Sequence, residues 1–148
     1  EIYTLSLHDA LPIFGRSWLP SIQGGVLFLE DVGEHPYRIE RMLCQLLHAG
    51  VLDAQQAVLL GSFSAYKPVP HDRGFNLNEA VHWLRAQTRT PILSGLPMGH
   101  VPTKVLLPVG ARVELLLEGR DAWLLWGHMD GHSHSHGHEH VCLHCGQA

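Results

Sequence analysis

Four consecutive apolar residues, Val26, Leu27, Phe28 and Leu29, stand between Gly24-Gly25 and the carboxylates Glu30-Asp31. A run apolar at every position has no wet face, so it reads as a short strand buried on both sides. Buried strands of this kind belong to layered folds with helices packed on a sheet, and the rest of the chain supplies the helices. After Gly33-Glu34-His35-Pro36, the residues Ile39, Met42, Leu43, Leu46 and Leu47 recur at helical spacing, with Pro36 at the first helical position and Gly50 as the stop. A second buried strand is expected over residues 57–60, ended by Gly61. Residues 64–75 hold two prolines and a glycine and read as a loop. Asn76 or Asn78 caps a helix to about Gln87 with Leu77, Ala80, Val81 and Leu84 inward, and Pro91-Ile92-Leu93 is a third strand. Residues 105–107, 112–117 and 122–126 read as strands, the last two joined as a hairpin at Gly119-Arg120-Asp121. The order βαβαβ followed by a β-rich end predicts an α/β fold, a small mixed-sheet domain.

A length of 148 residues allows one domain with its own core, and 45% hydrophobic with 16% charged residues is the composition of a soluble globular protein. The net charge of −4, with no cluster of Lys and Arg, argues against a nucleic-acid surface. No apolar run approaches the roughly 20 residues that span a bilayer, and no secretory leader pattern is visible. No membrane partner is therefore expected. Three cysteines, two of them close together near the end, make no disulfide framework, so a reducing cytoplasm is the expected location.

Both ends of the chain differ from the middle. Residues 1–13 (EIYTLSLHDALPI) match, residue for residue, the translation of a common short-read sequencing adapter. They are expected to be adapter-derived and foreign to the fold, with coding sequence upstream lost; the competing reading is a short amphipathic strand on Tyr3, Leu5 and Leu7. At Gly127 the composition changes abruptly, and seven of the 13 histidines follow it. Residues 128–148 are expected to form a flexible, disordered tail. Within it His132, His134, His136, His138, His140, Cys142, His144 and Cys145 are candidate ligands for Zn, Ni or Cu, since alternating histidines in an extended chain share a side and imidazole with thiolate suits these ions.

The candidate catalytic pair is Glu30 and His100. Glu30 ends a buried strand, at the edge where open α/β sheets place functional groups. His100 lies in Gly95-Leu96-Pro97-Met98-Gly99-His100-Val101-Pro102, whose two prolines and two glycines hold a specific backbone path directly after a strand. A carboxylate fixing the tautomer of an imidazole is a base with its orienter. From the residues alone the alternatives stay open: His100 as an ordinary loop residue, and Glu30 as a cap of the following helix or a partner of Arg38 or Arg41. Ser62, after a strand, lacks the following glycine of a nucleophile elbow and reads as structure.

The segments GGVLFLEDVGEHPYRIERMLCQLLHAGVL, VLLGSF and PILSGLPMGHVPTKVLLPVGA resemble the C-terminal domain of the LD-carboxypeptidases, serine peptidases acting on murein tetrapeptides. The resemblance covers essentially residues 24–111. It implies a swivelling β/β/α-like C-terminal domain, and a Ser-Glu-His triad in which Glu30 and His100, 100 − 30 = 70 residues apart, supply the Glu and the His. Glu34 is the rival for the carboxylate. The serine and its oxyanion donors belong to the family's N-terminal domain, absent from this chain, so the chain alone is expected to be inactive. The resemblance further implies a murein peptide substrate, release of terminal D-alanine in cytoplasmic peptidoglycan recycling, no catalytic cofactor and a homodimer. Two other functions are carried beside it: a microcin-immunity-type peptidase of the same family, and a metal-binding module acting through the tail.

Overall fold

The computed structural model describes residues 2–6, 21–102, 104–127 and 139–144, the first and last of these as backbone. Its elements are β1 (Ile2–Ser6), β2 (Val26–Val32), α1 (Pro36–His48), β3 (Ala57–Ser64), α2 (Leu77–Gln87), β4 (Ile92–Ser94), β5 (Val113–Glu118), β6 (Asp121–Trp126) and β7 (Glu139–His144). The parallel and antiparallel strands separate into two sheets. Strands β1-β2-β3-β4 form one, parallel throughout, and β5-β6-β7 form the other, antiparallel throughout.

Strand alternation explains the two cores. On one face of the parallel sheet Leu27, Leu29, Val58, Leu60 and Ile92 meet Ile39, Met42, Leu43 and Leu46 of α1 and Val81 and Leu84 of α2. On the other face Val26, Phe28, Ala57, Leu59 and Leu93 meet Ala122 and Leu124 of β6, together with Leu96 and Met98 of the loop after β4. The uniformly apolar run at 26–29 is therefore covered on both sides, and Phe28 and Leu29 have no exposed surface. Helix α1 starts with Pro36 in its first turn, where no intrahelical N–H is lost. Asn76 rather than Asn78 caps α2: its Oδ1 accepts from the backbone N–H groups of Asn78 at 2.9 Å and Glu79 at 3.2 Å.

Two expectations are revised. Strand β3 does not stop at Gly61 but continues to Ser64 through a bulge, because β2 still offers a partner edge there. Residues 105–107 pair with no described strand; the Val105 N–H donates to the Pro97 carbonyl at 2.8 Å, and Leu106 is 85% exposed. Within residues 128–148, Glu139–His144 pairs with β6 as strand β7, where Val141 and Leu143 alternate with His140, Cys142 and His144 at strand period and β6 offers an open edge; the rest of that stretch lies outside the described residues. At the other end, Ile2–Ser6 pairs with Val26–Glu30 as an edge strand. An alternating segment completes an open sheet edge whatever nucleotides encode it, so this pairing is compatible with adapter coding. Among the described residues no helix is long and apolar enough to cross a membrane.

Candidate functional site

Glu30 sits one strand-length into β2, at the C-terminal rim of the parallel sheet and on the same face as Val26 and Phe28. Opposite it, β3 carries one residue too many. Leu29 pairs with Leu60 and Asp31 with Phe63, so Gly61 and Ser62 together face Glu30 alone. This bulge opens β3 to the loop that follows β4. The Leu96 N–H donates to the Leu60 carbonyl at 3.4 Å, and the Ser62 N–H donates to the Met98 carbonyl at 2.8 Å. The loop is thereby tied along β3 and passes directly over Glu30.

Two glycines make that approach possible. A Cβ on Gly61 would stand 2.8 Å from the Met98 carbonyl oxygen, inside any real carbon–oxygen contact. A Cβ on Gly99 would stand 2.9 Å from Glu30 Oε2 and 3.2 Å from the Ser62 carbonyl oxygen, and Gly99 has φ +106°, a conformation L side chains avoid. With both side chains absent, His100 arrives beside the carboxylate: its Nδ1 lies 3.1 Å from Glu30 Oε2. The Glu30 side chain is 12% exposed and that of His100 62% exposed. A carboxylate oxygen accepts, so Nδ1 donates, and in the neutral ring Nε2 on the opposite edge is left as the acceptor.

Two of the alternatives for Glu30, capping the helix and pairing with Arg38, are not realised. No side chain caps α1. Arg38 Nε is 2.6 Å from Glu34 Oε2, one helical turn back. Glu34 therefore faces an arginine, while Glu30 holds the imidazole. Ser62 lies in the bulge and contributes its backbone N–H to the loop. Cys44 is half-buried; burial and then the nearby Glu40 carboxylate push its thiol up.

Two features of this rim escaped the sequence reading. Gly61 looked like a strand terminator, and only the positioning of Met98 reveals its steric role. His35, three residues beyond β2, bridges to the loop after β3, with Nε2 3.4 Å from Asp72 Oδ2 and its ring 5.0 Å from that of Tyr37 and 6.0 Å from that of Tyr66. Asp72 is itself held by the Val69 N–H at 2.6 Å. No motif marks this latch. Of the tail ligands, His132, His134, His136, His138 and Cys145 lie outside the described residues, and His140, Cys142 and His144 fall in β7. Among the described residues no group of three His, Cys, Asp or Glu side chains is arranged to hold a metal.

An imidazole fixed by a buried carboxylate at a sheet rim, its second nitrogen open, has the geometry of the base-and-orienter half of a hydrolytic triad. The chain belongs to the LD-carboxypeptidase C-terminal domain family, whose model matches residues 6–115. It is similar to the crystal structure of a muramoyltetrapeptide carboxypeptidase from Oxalobacter formigenes, with 42% identity and a TM-score of 0.79 over 83% of this chain and 43% of that one. The murein tetrapeptide carboxypeptidase of Pseudomonas aeruginosa is 39% identical over 100 residues, 65% of this chain and 30% of the relative. The microcin C7 self-immunity protein of Escherichia coli is 25% identical over 117 residues, 78% of this chain and 33% of the relative. The chain spans about a third of the length of the curated relatives it matches.

Proposed function

We propose that this chain is the C-terminal part of a serine-type LD-carboxypeptidase that releases the terminal D-alanine of a murein tetrapeptide, with His100 as general base and Glu30 as its orienter. The observation that carries the proposal is the 3.1 Å contact between Nδ1 of His100 and the carboxylate of Glu30, made across 70 residues of sequence at one rim of the sheet. In the full-length enzyme a serine from the N-terminal domain attacks the scissile carbonyl, and Nε2 of His100 takes its proton. The same nitrogen returns the proton to the departing amine of D-alanine. It then deprotonates the water that hydrolyses the acyl-enzyme, and Glu30 holds the ring throughout. Catalysis needs no cofactor in this scheme. The enzyme works in cytoplasmic cell-wall recycling, as a homodimer, and residues 1–13 are adapter-coded, a point that resequencing the gene decides.

The second reading, hydrolysis of a microcin-type amide by the same residues, is favoured by the match to the self-immunity protein over 78% of the chain. Assaying the full-length enzyme on a murein tetrapeptide and on an aminoacyl sulfamoyl nucleoside, the kind of compound bound in structures of the self-immunity protein, separates the two. On the tetrapeptide, His100→Ala in the full-length enzyme lowers kcat by about three powers of ten or more, and Glu30→Ala by less. Glu34→Ala changes it least. Equal losses from Glu30→Ala and Glu34→Ala, or an active His100→Ala enzyme, would exclude this assignment of roles.

A further inference from the structure

On the helix side of the parallel sheet, at the carboxyl ends of β3 and β4, the packing leaves a hollow of about 70 Å³. Leu60 and Phe63 of β3 with Leu77 and Val81 of α2 give it apolar walls, and Arg85 of α2 and Ser94 of β4 bring polar groups to it. Asn78, His82 and Arg85 follow one another at helical spacing, so one stripe of α2 runs along the opening, with Asn78 and His82 exposed at its mouth. Arg85 is half-buried and firmly held: its Nε donates to the Ile92 carbonyl at 2.9 Å and its Nη2 to Ser94 Oγ at 3.2 Å. Those two bonds occupy the side edge of the guanidinium. The end-on edge, Nη1 with the second N–H of Nη2, remains for a further acceptor. Ser94 Oγ accepts from Arg85 and so keeps its own O–H to donate. Among the described residues no carboxylate pairs with Arg85 and none lines the hollow.

A guanidinium taken partly out of water loses hydration that two neutral acceptors do not replace and that an anion does. Carboxylates and phosphates both match the fork, and the size and walls of the hollow choose between them. One water needs about 10–15 Å³ of such space, so the hollow takes a molecule of a few heavy atoms. Apolar walls suit a short hydrocarbon chain behind one charged end. A phosphate, polar on every side, would turn oxygens toward Leu77, Val81 and Phe63, which offer no side-chain donor. We infer that the hollow binds a small monocarboxylate about three or four carbons long, its carboxylate held by Arg85 and Ser94 and its chain laid on Leu77, Val81 and Phe63. Gly61 forms part of the wall, and on the other side of the strand the Met98 carbonyl stands where its Cβ would be. The site thus lies back to back with the loop that carries His100, and it does not depend on the catalytic roles of Glu30 and His100.

The test is NMR titration of the full chain with propionate, and with propionamide as its uncharged isostere. Propionate is expected to shift amide signals of α2 and β4 saturably, and its methyl group to give intermolecular NOEs to Leu77 or Val81. Propionamide gives neither. Arg85→Gln weakens propionate binding about tenfold or more and Ser94→Ala weakens it to a smaller extent. Arg41→Gln, the same charge change at an exposed position of α1, leaves binding unchanged. Arg85 also ties α2 to β4, so the melting of each variant is compared with wild type; where Arg85→Gln does not fold, Ser94→Ala and the wild-type NOEs decide. Inorganic phosphate, titrated in the same way, is expected to bind more weakly than propionate. No saturable shift with propionate, an equal response to propionamide, NOEs only to residues outside the hollow, undiminished affinity in a folded Arg85→Gln chain, or tighter binding of phosphate would overturn the inference.

Discussion

Gly99→Ala tests whether the site is built by close approach of backbone to carboxylate. Two costs are separable. An alanine at φ +106° stores backbone strain of about 1–3 kcal/mol wherever it occurs. At this position the new methyl also falls 2.9 Å from Glu30 Oε2 and 3.2 Å from both Glu30 Cβ and the Ser62 carbonyl oxygen. The carboxylate must swing away, giving up its bond to His100 while staying largely buried, at about 1–3 kcal/mol more. Gly110 supplies the control: it too has positive φ, +78°, but nothing lies within 4 Å of its would-be Cβ. Gly99→Ala should therefore melt below Gly110→Ala by about 2 kcal/mol, or roughly 4–8 °C for a chain of this size. In parallel, long-range ¹H–¹⁵N spectra should find His100 protonated on Nδ1 in wild type and in Gly110→Ala, and as a mixture of tautomers in Gly99→Ala. Equal melting of the two variants, with an unchanged His100 tautomer, would refute the steric argument.

Three further outcomes are expected. Asn76→Ala removes the acceptor of two N–H groups at the start of α2 and should cost about 1 kcal/mol, read by urea denaturation. Ending the chain before Glu139 removes β7 and uncovers the edge of β6, so the melting temperature should fall; an unchanged value would mean that β7 adds nothing to the sheet. Cys44, whose thiol is pushed up by burial and by Glu40, should alkylate more slowly in the folded chain than in urea at neutral pH. Because its folded pKa is raised, the linked stability is present below the ordinary thiol range and is lost as the pH climbs through the raised value, which an alkaline melting series would detect.

The sequence was most legible where one signal sufficed. Val26 to Leu29 announces a doubly covered strand because each position is apolar, and α1 follows from Pro36 and the spacing of Ile39, Met42, Leu43 and Leu46. Glu30 and His100 were paired through resemblance rather than spacing, since nothing local connects residues 70 apart. What stayed hidden depends on partners far along the chain. Strand β7 exists only because β6 presents an edge, so composition alone reads its residues as a polar tail. The reverse holds for residues 105–107, which have strand composition but pair with no described strand, Val105 and Leu107 packing against the core instead. The role of Gly61 likewise emerges only when Met98 is laid across it.

The bulge at Gly61-Ser62 belongs to the site and not to the framework. Delete Ser62, and Leu60, Gly61 and Phe63 would alternate regularly, with Leu60 and Phe63 still turned toward the helices that they already touch. Nothing in the packed interior asks for the extra residue. What would vanish is its N–H to the Met98 carbonyl, the tether that brings the histidine-bearing loop across the sheet. A single spare residue in a strand is thus an attachment point: the same scaffold without it would keep its shape and leave Glu30 facing an unanchored loop.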